Sequence, residues 1–417
     1  MNAHADIRRD SVETPYSWVR LALSVLMGTV GGVGMWSVVV VLPAVQAEFG
    51  TARADASLPY TLTMVGFAFG GVLMGGIADR FGMAAAAALG ALAMGAGYVA
   101  AGFAGSIWQF ALIHGVLIGF LGASAVFGPL MADVSHWFDR RRGIAVAACA
   151  SGNYVAGAIW PPLLQHFVET AGWRATHIGV GVVCLAAMLP LALALRRAPP
   201  AKRSPAAEGG AAAEGKLSLT AMQWLLVVAG LACCVAMSTP QVHIVAYCGD
   251  LGYGVARGTE MLSIMLGLGI VSRIASGFVA DRIGGLATLL LGSALQAASL
   301  LLYVFFDGLA SLYLISALFG LVQGGIVPAY AIIVREYFPA KEAGARVGLV
   351  IMAPLFGMAL GGWVSGAIFD FSGSYRAAFA HGFVWNVLNL AIAAWLLRRV
   401  ARDETAALPR AVLPDRV

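Results

Sequence analysis

Ten stretches of this chain carry no Lys, Arg, Asp or Glu, and each is long enough to cross a lipid bilayer. They are Leu21–Ala47, Ala56–Ala78, Met83–Ala132, Gly143–Val168, Ala175–Leu195, Leu217–Gly249, Ile283–Phe306, Gly308–Val334, Val347–Phe369 and Ala377–Leu397. Met83–Ala132 is about twice the length a span needs, and the Gly- and Ser-bearing segment Gly102–Phe110 divides it in two. One further apolar helix, Met261–Gly285, holds a single arginine inside it. The reading is an all-α membrane protein of twelve transmembrane helices, since a helix satisfies its own backbone in lipid.

Composition agrees: 60% of the residues are apolar and 11% charged, which excludes an ordinary soluble domain. The net charge of +5 is a topology signal. With both termini cytoplasmic, inner segments carry 21 Lys and Arg and outer loops only four, Arg53, Arg174, Arg257 and Arg376. No nucleic-acid patch is implied. Cys149, Cys184, Cys233, Cys234 and Cys248 fall in or beside apolar runs, without metal-ligand spacing or a disulfide framework, and read as small apolar residues. The first apolar run is too long for a signal-peptide core and is expected to stay as a membrane helix.

The interior arginine is Arg273. It lies roughly 18 Å along the helix from Met261 and roughly 11 Å from Ala280. A guanidinium at that depth costs about 2.5–3.5 kcal/mol or more. The default reading is an anion site. The competing reading is a side chain that snorkels to the surface or pairs with helix-end carbonyls.

The halves repeat. GGIADRFG (Gly75–Gly82) returns as SGFVADRIG (Ser276–Gly284), and 202 residues separate Asp79 from Asp281 and likewise Arg174 from Arg376. The chain therefore divides into a six-helix unit, 1–195, with a polar tail to about residue 16, and a second unit, 217–399, in the same orientation. A Pro-, Ala- and Gly-rich cytoplasmic linker, 196–216, joins them, and a cytoplasmic tail covers 400–417. Parallel six-helix repeats around a central cavity are the build of an alternating-access transporter.

Across Val19–Arg399 these residues resemble the major facilitator superfamily, whose G-x-x-x-D-R-x-G loop is matched by Gly75, Asp79, Arg80 and Gly82 and returns at Asp281 and Arg282. The resemblance implies a gating role for those six residues. Met83 and Ala84 stand where the family usually has a basic pair. Within it the chain resembles the monocarboxylate and oxalate/formate transporter group, through PAVQAEFG (Pro43–Gly50), WFDRRRG (Trp137–Gly143), VHIVAYCGDLG (Val242–Gly252) and VSRIASG (Val271–Gly277). That likeness implies that Arg273 binds the substrate carboxylate. Three departures qualify it. Gly269 stands where proton-coupled animal members carry an acid, the first helix lacks their lysine, and the eleventh lacks the second basic residue of the oxalate exchanger. One buried cation neutralises one negative charge, which argues for a monoanion.

Other polar residues in the runs are candidates for the same cavity. His243 can titrate near neutral pH or simply bond a neighbouring helix. Tyr330 offers a hydroxyl or plain packing. Asn153 and Tyr154 place an amide and a phenol at membrane depth, and Trp36 offers an apolar wall or aromatic packing. Gln323 and His114 are weaker, and Asn386 and Asn389 are set aside because the twelfth helix tends to lie outside in this superfamily. The run GTVGGVG (Gly28–Gly34) has no lysine or strand to make a phosphate loop, and close helix packing explains it.

The reading is a secondary-active transporter of an organic monoanion, by proton symport or anion exchange, in a bacterial inner membrane. It is expected to be a monomer with no enzymatic activity and no cofactor; its partners are a small organic anion, the lipid bilayer and, in symport, protons. The alternatives are a polyspecific exporter of drugs or metabolites and, for lack of an appended signalling domain, more remotely a membrane sensor.

Overall fold

The computed structural model describes residues 12–199 and 218–407, so the N-terminal tail before residue 12, nearly all of the linker and the end of the C-terminal tail lie outside the described residues. Eleven of the described helices are long and apolar enough to cross a membrane. One of them, Arg142–Ala194, is two helices joined at Gly172, whose φ of 80° and ψ of 157° no helix accommodates. The twelve are α1 (Pro15–Phe49), α2 (Arg53–Phe81), α3 (Met83–Gly102), α4 (Ile107–Ser135), α5 (142–171) and α6 (173–194), then α7 (Leu219–Asp250), α8 (Val255–Ile283), α9 (Gly285–Phe305), α10 (Leu309–Tyr337), α11 (Arg346–Ser372) and α12 (Tyr375–Arg402).

The repeat seen in the sequence is also a repeat of backbone. Gly82 ends α2 with φ 88° and ψ 159°, and Gly284 ends α8 with φ 80° and ψ 166°. An L side chain is strained at such a φ, so glycine lets one membrane helix stop and the next start within a single residue.

Within each half, helices approach through glycine. A Cβ on Gly66 or Gly70 of α2 would sit 2.2 or 2.0 Å from a carbonyl oxygen of α4 (Gly115 O and Phe120 O). The corresponding pair in the second half is α8 and α10. There a Cβ on Gly320 or Gly324 would sit 2.3 or 2.1 Å from Met265 O or Gly269 O. Lipid tails are as apolar as leucine, so close van der Waals packing of this kind, rather than burial from water, holds membrane helices together. The Gly28–Gly34 run serves the same end: a Cβ on Gly31 or Gly32 would lie about 2.6 Å from Val126 or 2.5 Å from Ala156.

The halves meet along α2 with α11, α5 with α8, and α1 with α7. The end of the molecule that bears residue 15 and the linker is here called the linker side, and the opposite end the far side. On the far side the seam between α2 and α11 is shut: a Cβ on Gly366 of α11 would lie 3.0 Å from the Ala54 backbone, and Thr61 Oγ1 donates to Ala359 O at 3.1 Å, while a cavity of about 430 Å³ lies between the far-side ends of α1 and α7. On the linker side the four seam helices part. Added Cβ atoms at Gly71, Gly75 and Gly76 of α2, Gly143 of α5, Gly277 of α8 and Gly348 of α11 would meet nothing within 4 Å. The central space therefore opens toward the linker side.

Candidate functional site

Arg273 lies on α8 where that helix crosses α5 of the other half. Its Nη1 donates to Ala150 O at 3.0 Å and its Nε to Gly324 O at 3.3 Å. The guanidinium carbon stands 4.4 Å from the centre of the Tyr154 ring. One arginine thus joins α8, α10 and, across the seam, α5. The pairing with carbonyls weighed from the sequence is present, but Ala150 belongs to the middle of a helix and Gly324 to the break within α10. Arg273 is only part-buried; Nε and Nη1 each donate to a carbonyl, and the Tyr154 side chain is a further hydrogen-bond partner of the guanidinium. A fixed, part-buried fork of this kind suits a carboxylate.

Four of the six residues picked out from the sequence come together here. Trp36 of α1 is 2% exposed and its Nε1 donates to the Asn153 carbonyl at 3.2 Å. The Asn153 Oδ1 is buried and without a hydrogen-bond partner, beside a small cavity lined by Gly28, Gly31, Gly32, Met35 and Phe67. Gly157, one turn beyond Asn153, brings Trp36 and Leu266 of α8 together: a Cβ there would lie 3.0 Å from the Trp36 nitrogen and 2.3 Å from Leu266. Trp36, Asn153, Tyr154 and Arg273 therefore form one wall, built from α1, α5 and α8.

The other two lie elsewhere. Tyr330 is fully buried in the second half, where its hydroxyl donates to Asn389 Oδ1 at 2.8 Å. Asn389 Nδ2 continues to Ser293 Oγ at 2.7 Å, and Asn386 Nδ2 reaches Ser293 O at 2.8 Å. That network ties α9, α10 and α12 together and occupies the hydroxyl a substrate would need. Asn389 is thus a buried partner of Tyr330, and Asn386, also buried, is a partner of Ser293. His243 sits toward the far side, bonded to Tyr375 Oη at 3.0 Å and Gly362 O at 2.8 Å.

The loop residues Asp79, Arg80, Asp281 and Arg282 are exposed on the linker side, at the ends of α2 and α8. Gly75 has no neighbour for a Cβ, because the seam is open at that level.

Sequence reasoning missed the far-side cluster around Arg53. Its main-chain N–H and that of Ala54 donate to the Asp370 carboxylate at 2.8 Å each, and its guanidinium bonds Tyr375 Oη at 2.8 Å and Asp250 Oδ1 at 3.1 Å. From the sequence Arg53 reads only as an outer-loop charge. The available signal was charge complementarity: two acids at the far ends of α7 and α11, opposite one of just four basic residues on that side.

Two six-helix halves that close at one end and part at the other around a deep cation define a membrane transporter fold. The Major Facilitator Superfamily model matches residues 25–316 and 261–414, and the chain belongs to that family. Monocarboxylate transporter 13 of Bos taurus is 27% identical over 322 residues, covering 75% of this chain and 73% of its own. The MFS-type transporter pynF of Aspergillus niger is 24% identical over 323 residues, covering 76% and 73%. Among solved structures, the peptide transporter POT in complex with sulfate superposes with a TM-score of 0.70 at 14% identity, covering 97% of this chain and 99% of that one.

Proposed function

We propose that the protein is a secondary-active transporter of an organic monoanion, with Arg273 as the carboxylate anchor. The observation that carries the reading is the position of Arg273: on the seam between the halves, bonded to a carbonyl of each and held over the Tyr154 ring. A substrate bound there touches both halves, as alternating access about a midplane site requires. The likeness to monocarboxylate transporters supports the same substrate class. The two units, 1–195 and 217–399, rock about this site. With the linker side taken as cytoplasmic from the 21-to-4 distribution of basic residues, the state described is open inward. Coupling is by proton symport or by anion exchange, in a bacterial inner membrane, and the transporter works as a monomer.

The test is Arg273→Lys beside Arg273→Ala, at matched expression. A lysine keeps the charge but cannot hold a carboxylate by two parallel hydrogen bonds. Losing one charge-assisted bond costs about 1.5–3 kcal/mol, roughly a ten- to hundredfold loss of affinity. Lysine is expected to lose most monocarboxylate uptake and alanine all of it, while both variants insert and purify. Near-normal uptake and affinity in the lysine variant would sink the reading, because a snorkelling role tolerates lysine. Uptake of neutral or cationic compounds that survives in the alanine variant would point instead to a polyspecific exporter.

A further inference from the structure

The hydrogen bonds around His243 have only one self-consistent direction. Arginine only donates and a main-chain carbonyl only accepts. Arg53 Nη1 therefore donates to Tyr375 Oη at 2.8 Å, and His243 Nε2 donates to Gly362 O at 2.8 Å. With Nε2 protonated, a neutral imidazole has Nδ1 as its acceptor, and the Tyr375 hydroxyl donates to it at 3.0 Å. The chain thus runs from Arg53 of α2, in the first half, through Tyr375 of α12 to His243 of α7 and Gly362 of α11, in the second. Every bond in it is satisfied only while His243 is uncharged. His243 is fully buried and Arg53 is 7% exposed. Phe369 lies 4.7 Å from the Arg53 guanidinium and Tyr247 packs on the Tyr375 ring, so aromatic side chains cover the inner side of the cluster, while Arg53 and Asp250 line a far-side cavity of about 430 Å³.

We propose that Arg53, Asp250, Asp370, Tyr375 and His243 form the far-side gate of this transporter, and that a proton taken up by His243 unlatches it. The proton goes to Nδ1, the one imidazole nitrogen that accepts a bond. The Tyr375 hydroxyl then loses its acceptor and faces donors on both sides. A second positive charge also arises one phenolic oxygen away from the Arg53 guanidinium, where the two like charges repel. The charged groups that face His243 are Arg53 from α2 and Asp370 from α11. Asp250 on its own helix and Tyr375 on α12 complete the set. Asp370 already spends both oxygens on the main-chain N–H groups of Arg53 and Ala54, which leaves Arg53 nearest to the new charge through Tyr375. The closed far side and a charged His243 therefore exclude each other, and a proton favours the state in which the first half has swung away. This gate is distinct from the anion site at Arg273 and operates whichever solute is carried.

The experiment measures the far-side gap directly, without solute, so that its outcome is independent of the substrate reading. Spin labels at Phe103→Cys in the first half and Phe306→Cys in the second report the distance between exposed far-side loops, while the five native cysteines are buried. At pH 7.5 a short distance is expected, and at pH 5 a longer-distance population that rises several-fold. His243→Gln retains a donor and an acceptor and removes the titration, so the short distance should persist at both pH values. Arg53→Gln should populate the long distance at both. Tyr375→Phe removes the hydroxyl that joins the two residues and should weaken closure at pH 7.5 while blunting the pH response. That variant decides the matter if His243→Gln alters the pH 7.5 distance by misfolding. An undiminished pH response in His243→Gln whose pH 7.5 distance is intact, or in Tyr375→Phe, would overturn the proposal. So would an Arg53→Gln gate that stays as closed as the unmodified protein.

Discussion

Gly269 and Tyr154 occupy a single position between them. A Cβ built on Gly269 would lie 3.0 Å from the edge of the Tyr154 ring, and the face of that ring lies 4.4 Å from the Arg273 guanidinium carbon. Gly269 is the position at which the resemblance to the monocarboxylate group leads one to expect an acid, one turn before the arginine. In this protein the space an acid would fill is taken by a phenol from the other half. The guanidinium is attended by an aromatic face across the seam rather than by a carboxylate on its own helix.

The first prediction follows from that exchange. Gly269→Asp should displace the Tyr154 ring and place a negative charge within a helical turn of Arg273, competing with the substrate for the same cation. Monocarboxylate affinity should fall by about tenfold or more, the worth of one charge-assisted hydrogen bond. Tyr154→Leu should have a smaller effect, since a cation–π contact of this kind is worth about 0.5–2 kcal/mol. Binding measured by calorimetry on the purified variants separates the two. If Gly269→Asp binds as tightly as the unmodified protein, the arginine is not the anchor.

A second prediction concerns charge. Monocarboxylates should exchange better than dicarboxylates of similar size at neutral pH, because Arg273 is a single deep cation and the one basic residue of α11, Arg346, lies at its linker-side start, bonded to Gln223. The structure also removes the obvious second cation. Arg257 is exposed on the far side, paired with Glu260 at 3.1 Å, and Glu260 also accepts the Tyr313 hydroxyl. Arg257→Gln should leave the ratio of monocarboxylate to dicarboxylate transport unchanged. A ratio that shifts in this variant would bring Arg257 into the substrate path.

How far the sequence carried depends on which direction is asked about. Depth along a helix is legible, because charges and hydropathy mark where each run begins and ends; twelve spans, the repeat at Asp79 and Asp281, and the interior position of Arg273 all follow from it. The azimuth around a helix is not. Tyr330 and Asn153 looked alike as polar residues at membrane depth. In the fold Tyr330 turns away from the seam toward Ser293 and Asn389, while the Asn153 side chain turns to Gly32 of α1. These spans have little amphipathic contrast, since lipid and neighbouring helices are equally apolar, so no periodic stripe reveals the inner face. Charges at helix ends mislead for a related reason: Arg20 and Arg53 read as loop residues, yet both are more deeply buried than Arg273.

The two glycine roles should separate under substitution. Gly324→Val in α10 would drive a side chain into the Gly269 carbonyl of α8 and force the helices apart. Overpacking of this kind costs about 1–3 kcal/mol or more, so the melting temperature should fall clearly. Gly75→Val meets open space in the linker-side-open state and should leave the melting temperature nearly unchanged. It should still slow transport, because closing the linker side must bring α2 against α11. A Gly75→Val protein that transports at the full rate would show that the seam never closes tightly at that level.

The last prediction tests the least expected buried charge. Arg20, at the linker-side start of α1, is fully buried, and it holds Asp133 of α4 by two hydrogen bonds, Nε to Oδ2 at 2.9 Å and Nη2 to Oδ1 at 2.8 Å. Its Nη1 donates to Arg197 O at 3.0 Å, just past the end of α6, and its guanidinium lies 5.1 Å from the Trp137 ring. One side chain thereby ties the starts and ends of three helices of the first half. Among the described residues neither partner bonds to the second half, so the pair should set stability rather than conformational choice. Asp133→Asn leaves a buried guanidinium without its counter-charge, a loss of about 3–5 kcal/mol for a pair of this kind. Arg20→Met with Asp133→Leu removes both charges and should recover much of that loss, because an apolar pair of similar volume needs no compensation. Thermal unfolding of the single and double variants in detergent is the measurement. A double variant as unstable as Asp133→Asn would show that the charges themselves are required, and that the three-helix junction depends on the geometry of the fork rather than on relief from an unpaired ion.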